Sequence, residues 1–398
     1  MKFVFLFIMI LFASIEYAEG QDRERIRDLG IEPGILPPGP LNAITDVDGV
    51  RVGHHTKIEG DDVRTGVTAI LPHGGNLFRN RVPAAVYVGN GFGKALGFTQ
   101  VQELGELETP IGLTNTLSIY TVANGVADYV LNLPGNENVR SVNPVVGETN
   151  DGYLNNIRGR VVEPDDVHKA IEAAEEGNVE EGNVGAGTGT RALGFKAGIG
   201  TSSRQLPGEH GGYTVGVLVQ SNFGGILTVN GVPVGEELGN HYMADRGDES
   251  NKNTEPNASG LAASHYDYDV DGSIMIVVAT DAPVTSRNLE RLAKRAFMGI
   301  ARVGGFASNG SGDYVIAFST HKDVRRNTDD DGDTQPLTQL KNAAMTPLFL
   351  ATVEATEEAI LNSIFMAESM TGTSGREIEG IPVDEVIQIM ERYNRVDK

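Results

Sequence analysis

The sequence predicts an α/β layered fold, and three segments of its C-terminal third carry that prediction. Residues 273–280 are a dense run of β-forming residues, which is typical of a buried strand. Residues 286–303 carry apolar residues at helical spacing, which predicts an amphipathic helix packed on a sheet. Residues 347–367 predict a further helix, and strands covered by long helices indicate layers of sheet and helix.

The other elements follow in chain order. Residues 30–40 are rich in Gly and Pro, which predicts an extended lead-in. A helix is expected over 164–176, because Pro164 suits a first helical turn. Short apolar runs alternate with Gly-rich turns in the first half of the chain, for example at 84–88, 213–219 and 226–229. The last expected elements are a strand at 314–318, an N-cap at Thr346 for the helix 347–367, and a helix at 383–393.

The composition excludes several classes of protein. The chain has 398 residues and a mass of 42.5 kDa, enough for one large core or two ordinary ones. Its 54 Asp and Glu outnumber its 32 Lys and Arg, which gives a formal net charge of −22. This balance argues against nucleic-acid binding and against docking on anionic lipid, since both need a basic face. Cys is absent, which excludes disulfides, zinc–thiolate sites, iron–sulfur clusters and a cysteine nucleophile.

The first twenty residues have the pattern of a secretory signal peptide. Lys2 precedes an apolar run over 3–15, and small residues follow at Ala18 and Gly20. The apolar run is shorter than the roughly 20 residues that a transmembrane helix needs. We therefore expect residues 1–20 to be removed, so that the mature chain begins at Gln21 and resides in the periplasm or the medium.

A long polar segment precedes the buried strand. Residues 239–268 are rich in Asn, Asp, Ser and Glu, which predicts a flexible loop. Residues 267–272 match the start of a calcium-binding EF-hand loop, but Val278 stands where that loop needs a bidentate Glu. A second Asp-rich stretch, 327–338, ends in Thr338 and fails the same test. A weak surface cation there, and with it a non-enzymatic exported calcium-binding module, stays open as an alternative.

Other short motifs lack the residues that their chemistry needs. Residues 185–189 lack the third Gly of a dinucleotide loop, and Gly93–Lys94 lacks both flanks of a P-loop. The sequence has no His-Glu-x-x-His motif, and we expect His54–His55 to be a pair at a strand end. It also has no Gly-x-Ser-x-Gly elbow, so an α/β-hydrolase has no support. We therefore expect neither a metal nor another cofactor.

The junction Gly272–Ser273 offers a different route to catalysis. A serine at the first position of a buried strand would gain a free α-amine if the peptide bond before it were broken. An α-amine has an ordinary pKa of about 7.7–8.0 and could deprotonate the serine's own hydroxyl, as in N-terminal nucleophile enzymes. The same hydroxyl could break the bond itself by an N-to-O acyl shift. From these residues alone, a purely structural serine remains the commoner interpretation.

Several long blocks, in one order, carry a family resemblance. They are residues 42–54, 148–155, 184–190 with 194–203, 217–224, 272–283 (GSIMIVVATDAP) and 311–320. From about Arg25 to its end, the chain resembles the L-aminopeptidase D-amidase/esterases and β-peptidyl aminopeptidases, the DmpA and BapA type. The resemblance implies a four-layer αββα sandwich of the type shared with ornithine acetyltransferases.

The resemblance also implies self-cleavage between Gly272 and Ser273. Residues 21–272 would become an α chain and residues 273–398 a β chain, and both would stay in one catalytic domain. Ser273 would be the nucleophile, with Ser311 and Asp313 as its partners. The spacing of those two partners makes independent sense, because residues two apart on a strand point to one face.

The resemblance assigns three further residues around the nucleophile. Asn222 matches the side chain that stabilises the oxyanion, a contact worth roughly 3–4 kcal/mol. Tyr153 matches a phenol that lines the same site. Asp151 matches the acidic residue that receives the free amine of the substrate, which an aminopeptidase needs in order to select chain ends.

The implied function is that of an exported serine aminopeptidase, which acts through an acyl-enzyme on peptides, amides or esters with a free amine. The preference for α- or β-amino acids is not encoded in these motifs. The resemblance implies a homo-oligomer, a tetramer of αβ pairs. An acyltransferase on the same scaffold is an alternative, although ornithine acetyltransferases use Thr where this chain has Ser273.

Overall fold

The computed structural model describes residues 23–244, 271–328 and 332–396. The predicted signal peptide and residues 245–268 of the predicted polar loop lie outside these ranges, as do Asp267 and Asp269 of the EF-hand-like stretch. Within the ranges, no helix is both long and apolar enough to cross a membrane.

Two mixed sheets form the centre of the structure. The strands are β1 Arg51–Glu59, β2 Val63–Leu71, β3 Asn80–Gly91, β4 Ala95–Leu96, β5 Glu106–Leu107, β6 Ile111–Asn115, β7 Val145–Thr149, β8 Arg191–Ala192, β9 Phe195–Lys196, β10 Ile199–Gln205, β11 Thr214–Asn222, β12 Ser273–Thr280, β13 Gly312–Ser319, β14 Arg326–Asn327, β15 Met370–Thr371 and β16 Glu377–Ile378. One sheet has five strands in the order β1-β2-β6-β7-β4, and the other has seven in the order β10-β11-β12-β13-β3-β14 with β5 beside β3.

Helices cover the outer faces of both sheets, and one short helix instead adds Phe98 and Val101 to the core between the sheets. They are α1 Phe98–Leu104, α2 Ile119–Leu131, α3 Pro164–Glu172, α4 Val234–Glu237, α5 Ser286–Arg302, α6 Thr346–Phe365 and α7 Val383–Arg392. One apolar core lies between α2, α3 and the five-stranded sheet, and a second lies between the two sheets. A third joins the seven-stranded sheet to α5, α6 and α7. The four-layer αββα sandwich is therefore confirmed.

The seven-stranded sheet places β12 at its centre. This strand runs antiparallel to β11 and parallel to β13, and every one of its residues is buried. Its even-numbered residues, such as Ile274 and Ile276, face the helices, while Met275 and Val277 face the other sheet. Burial on both faces explains why the run over 273–280 is apolar throughout instead of alternating.

Most of the predicted elements in the second half of the chain are confirmed, with corrections at their ends. Helix α6 begins at Thr346 itself, and Met345 occupies the N-cap position without a side-chain cap, so Thr346 is not the cap. Helix α3 ends at Glu172 and not at residue 176. Residues 226–229 form a loop, because the amides of Ile226 and Thr228 donate to carbonyls of the turn at 303–304 and not to a sheet.

The prediction for His54 and His55 was wrong in position. Both lie in the middle of β1, whose antiparallel pairing with β2 extends to Glu59. His54 is bonded through Nδ1 to the Thr68 hydroxyl at 2.9 Å, and burial lowers its pKa to about 4. His55 instead contacts Asp166 of α3 at 3.1 Å.

Candidate active site

The ends of three neighbouring strands bring the predicted nucleophile beside the predicted oxyanion residue. Ser273, the first residue of β12, pairs with Asn222 at the end of β11 and with Gly312 at the start of β13. All three are buried. Paired residues share a sheet face, so the side chains of Ser273 and Asn222 both point toward the space between the two sheets.

The carbonyl of Gly272, which precedes Ser273, is held by two donors. Ser273 Oγ donates a hydrogen bond to the Gly272 carbonyl oxygen at 2.7 Å. The backbone N–H of Gly312 donates to the same oxygen at 3.0 Å. An N–H at this place can stabilise negative charge that develops on the carbonyl oxygen. The sequence motifs did not indicate Gly312, because a backbone donor carries no residue-type signal.

Ser311 and Asp313, whose spacing predicts that they share one face of a strand, are joined by a hydrogen bond. Ser311 Oγ donates to Asp313 Oδ1 at 2.6 Å, and Asp313 Oδ2 is buried with no hydrogen-bond partner among the described residues. Burial raises the pKa of Asp313 to about 6, although the Ser311 bond acts in the opposite direction. An ionised Asp313 therefore has one oxygen ready for a cation or another donor.

The pair does not touch the Ser273 hydroxyl in the uncut chain. Asp313 is paired with Ile274, which faces the helical layer, whereas Ser273 faces the opposite sheet. In the described part of the chain, no hydrogen bond joins Ser273 Oγ to Ser311 or Asp313. Ser311 and Asp313 therefore lie beside the backbone at the start of β12 and not beside the side chain of Ser273.

Asn222 is oriented by a neighbouring backbone amide. Its Oδ1 accepts a hydrogen bond from the Arg191 N–H at 3.2 Å, which leaves Nδ2 as the donating end of the amide. The Arg191 guanidinium lies 4.1 Å from the centroid of the Tyr153 ring, and that of Arg376 lies 5.4 Å from it. Tyr153 thus joins the site through Arg191, and among the described residues its hydroxyl makes no hydrogen bond to Ser273 or Gly272.

Asp151 is buried. Its Oδ1 accepts from Asn155 Nδ2 at 3.0 Å, and Oδ2 has no hydrogen-bond partner among the described residues. Burial raises its pKa to about 7, although bonds from Thr65 and Asn155 oppose this shift. At neutral pH this carboxyl group is therefore only partly ionised.

A second buried acid, Glu148, lies in the same sequence block and was not selected by sequence reasoning. Its Oε1 accepts the Lys94 N–H at 2.8 Å, and the Thr116 hydroxyl donates to Oε2. Burial raises its pKa. The charges of Glu148 and Asp313 both raise the pKa of Tyr314, after the larger effect of burial, so Glu148 lies on the β13 side of the site. Glu148 and Asp151 belong to one resemblance block, which is the signal that could have found it.

Comparison with known proteins shows the family to which the chain belongs. The model of peptidase family S58 matches residues 42–378. The chain is 40% identical to the β-peptidyl aminopeptidase BapA of Sphingosinicella microcystinivorans, over 100% of this chain and 98% of that protein.

Two solved structures have the same architecture. A Burkholderia sp. β-aminopeptidase is 38% identical, with a TM-score of 0.81 over 93% of this chain and 99% of that one. The L-aminopeptidase D-Ala-esterase/amidase of Ochrobactrum anthropi is 36% identical, with a TM-score of 0.81 over 94% of this chain and 99% of that one. That enzyme is described as a prototype of the serine aminopeptidases with a variant of the Ntn-hydrolase fold. The chain belongs to peptidase family S58, and it is a serine aminopeptidase with this variant of the Ntn-hydrolase fold.

Proposed function

We propose that the chain cuts itself between Gly272 and Ser273 and then removes N-terminal residues, β-amino acids included, from peptides, amides or esters. The observation that carries this proposal is the contact at the intact bond. Ser273 Oγ lies 2.7 Å from the Gly272 carbonyl oxygen, and the Gly312 N–H holds that oxygen from another direction. A nucleophile and an oxyanion donor thus meet at one peptide bond.

The cleavage step is an N-to-O acyl shift followed by hydrolysis. Ser273 Oγ attacks the Gly272 carbonyl carbon, and the Gly312 N–H stabilises the oxyanion. The C–O bond forms, the C–N bond breaks, and the proton lost by the hydroxyl ends on the Ser273 nitrogen. Water then hydrolyses the ester, which leaves a carboxylate on Gly272 and restores the hydroxyl of Ser273.

The cut creates the catalytic group of the mature enzyme. The free amine of Ser273 takes the hydroxyl proton as Oγ attacks the substrate carbonyl. The resulting ammonium lies beside the Ser311–Asp313 pair, where Asp313 Oδ2 is available to hold it. Asn222 Nδ2 and the Gly312 N–H, which the departing Gly272 releases, receive the oxyanion. The leaving amine takes the proton, and water resolves the acyl-enzyme.

Selection of chain ends needs an ionised acid near the nucleophile. We assign this role to Glu148 in preference to Asp151. Burial raises the pKa of both acids, so the assignment rests on position. Glu148 Oε1 and the Tyr314 ring border the same space beside Gly93, and Glu148 acts electrostatically on Tyr314 together with Asp313.

A substrate panel tests the proposed activity. Anilides of β-alanine, L-alanine and D-alanine are compared with their N-acetylated forms, with the Ser273→Ala variant as the inactive control. We expect hydrolysis of the β-alanine anilide, as the name of the BapA relative suggests, and no hydrolysis of any acetylated form. Hydrolysis of acetylated substrates at equal rates would show that no amine is recognised, and a panel without β-residue hydrolysis would exclude the β-peptidyl part.

Export and assembly complete the proposal. The signal-like residues 1–20 support release of a chain that begins at Gln21 into the periplasm or the medium. Family likeness supports a tetramer of αβ pairs. N-terminal sequencing of protein from a periplasmic extract and light scattering of the purified enzyme test these two points. An N-terminus at Met1 in the cytoplasm would contradict export, and the mass of a single αβ pair would contradict the tetramer.

A further inference from the structure

Asp271, the residue before the proposed cleavage junction, is bonded to the turn that carries Ser311. Its Oδ1 accepts a hydrogen bond from the Gly310 N–H at 2.9 Å and one from the Ser308 hydroxyl at 3.1 Å. The next residue, Gly272, accepts from the Gly312 N–H. Two consecutive residues on one side of the junction are thus attached to the segment 308–312.

The turn over 308–311 is itself held in place from β3. It is closed by a bond from the Ser311 N–H to the Ser308 carbonyl at 3.0 Å. Asn90 Nδ2 donates to the carbonyls of Ser308 and Ser311, at 2.7 and 2.8 Å. Because β3 is a long strand inside the seven-stranded sheet, these bonds connect the turn to the rigid part of the fold.

The turn leaves room for the Asp271 carboxylate only because residue 310 is glycine. A Cβ on Gly310 would lie 2.4 Å from Asp271 Cγ, which is closer than real Cβ atoms approach. The side chain of Asp271 therefore occupies the space where any other residue at 310 would place its own. The Asp271 carboxylate thus packs directly against the backbone of Gly310.

We propose that Asp271 is a positioning residue for self-cleavage, an inference that rests on the function proposed above. Gly272 has no side chain to restrict its backbone, so the orientation of its carbonyl depends on its attachments. The bonds of the Asp271 carboxylate and the bond from the Gly312 N–H, all to the segment 308–312, fix the orientation of the Gly272 peptide plane relative to Ser273 Oγ. Misplacing reacting atoms by about 1 Å can cost about a hundredfold in rate, so loss of one attachment slows the acyl shift.

Asp271 has this positioning role only until the Gly272–Ser273 bond is cut. Once the Gly272–Ser273 bond is broken, Asp271 is the penultimate residue of the α chain and has no covalent connection to Ser273. Turnover of external substrates relies on Ser273, Asn222 and the Gly312 N–H, none of which Asp271 contacts through a hydrogen bond among the described residues. Cleavage and turnover should therefore respond differently to changes at this position.

The test measures the two reactions separately. Uncut wild-type, Asp271→Ala, Asp271→Asn and Ser308→Ala chains are made by cell-free translation, and the cut fraction is followed by denaturing electrophoresis. We expect Asp271→Ala to cut about tenfold more slowly or worse, since bonds to a charged group are lost. Asp271→Asn keeps an acceptor oxygen and should partly rescue the rate, and Ser308→Ala should slow cutting about two- to fivefold. The exposed Asp323→Asn serves as the matched control and should cut at the wild-type rate.

The same experiment separates this inference from the proposed function. Once fully cut, Asp271→Ala should keep the kcat and KM of the wild type, and in a Ser273→Ala background it should melt near the parent temperature. A wild-type cutting rate in Asp271→Ala, or an equal loss of cutting and turnover, would overturn the inference. If Asp271→Ala does not fold, a wild-type rate in Ser308→Ala overturns it. A wild-type chain that never cuts would instead remove the proposed function itself.

Discussion

At the scale of single residues, Asp313 combines a proposed catalytic role with a cost in stability. Burial moves the pKa of its carboxyl from 3.8 to about 6, so the folded state favours the protonated form. Between those two pH values the unfolded chain is ionised while the folded chain holds the proton. Stability therefore falls as pH rises through this window, and above it the cost is about 3 kcal/mol. Perturbed carboxyl groups of this kind are frequent at catalytic sites.

Replacing Asp313 by Asn should remove that cost in the uncut Ser273→Ala background, where no free amine is present. The amide oxygen can still accept the Ser311 hydrogen bond. We expect the free energy of unfolding at pH 8 to rise by up to about 3 kcal/mol, with the gain shrinking toward zero near pH 4. Urea unfolding at the two pH values measures this. A gain that is the same at both pH values, or a loss at pH 8, would contradict the assignment.

Single substitutions can also show which of the two buried acids, Glu148 or Asp151, binds the amine of the substrate. We expect Glu148→Gln to reduce kcat/KM for substrates with a free amine about tenfold to a hundredfold, because a charge-assisted contact is lost. Asp151→Asn, the matched change, should have a smaller effect, since we place the substrate amine beside Glu148, on the Tyr314 side of the site. Initial rates on one anilide decide the order. A larger loss of kcat/KM in Asp151→Asn than in Glu148→Gln would instead assign amine binding to Asp151.

At the scale of elements, helix α6 carries buried acids that hold the N-terminal part of the chain. Glu358 accepts from Arg204 at 2.7 Å and from Arg27 at 2.8 Å, and the side chains of Glu358 and Arg204 are fully buried. Glu354 contacts Arg204 at 3.4 Å and accepts the backbone amides of Ile35 and Leu36. After the proposed cut, these ion pairs would connect the α chain to the β chain.

Removing one charge from this network should be costly. Glu358→Gln leaves the buried Arg204 with a weaker partner, and loss of one member of a buried pair costs about 3–5 kcal/mol. The control is Glu290→Gln on α5, which breaks an exposed pair with Lys294 and should cost about 0.5 kcal/mol or less. Chemical denaturation of both variants gives the comparison. Equal small effects would show that the buried network contributes little.

Element prediction from the sequence was successful where a pattern was long and strong. The strand at 273–280 and the helices α5, α6 and α7 have patterns that packing does not override. Helices α1 and α2 were missed because they are short or contain Gly125 among β-branched residues. The position of the His54–His55 pair depends on pairing between β1 and β2, which sequence periodicity does not reveal.

Prediction of the site also succeeded where a local pattern was present and failed where contacts between distant segments decide the geometry. The Ser311–Asp313 pair follows from strand alternation, and its hydrogen bond is present at 2.6 Å. The contacts that orient the junction were not predictable, because Asn90 reaches Ser308 and Ser311 across more than two hundred residues of chain. A backbone donor such as the Gly312 N–H can belong to almost any residue type, so the sequence does not reveal it. The catalytic and binding roles assigned to the site residues stay predictions, namely those of Ser273, Ser311, Asp313, Asn222, Tyr153 and Asp151.

At the scale of the whole molecule, the proposed cut would fall inside a continuous sheet. Strand β11 would belong to the α chain and β12 to the β chain, yet they pair over Val215–Asn222 and Ser273–Thr280. The core between that sheet and the helices also includes residues from both chains. Separation of the chains would therefore require unfolding of the domain.

This architecture predicts that the two cut chains elute together. In gel filtration without denaturant they should appear as one species, and urea or guanidinium should be needed to separate them. Electrophoresis of the peak fractions under denaturing conditions gives the composition. An α chain and a β chain that elute apart in native buffer would contradict the shared sheet.

The central claim is that Ser273 becomes a new N-terminus by its own chemistry, and one measurement tests it most directly. The masses of the purified wild type and of Ser273→Ala are determined under denaturing conditions. The account predicts two chains for the wild type, the second beginning at Ser273, and a single chain for Ser273→Ala. A single intact chain from folded wild-type protein, or a cut Ser273→Ala chain, would contradict it.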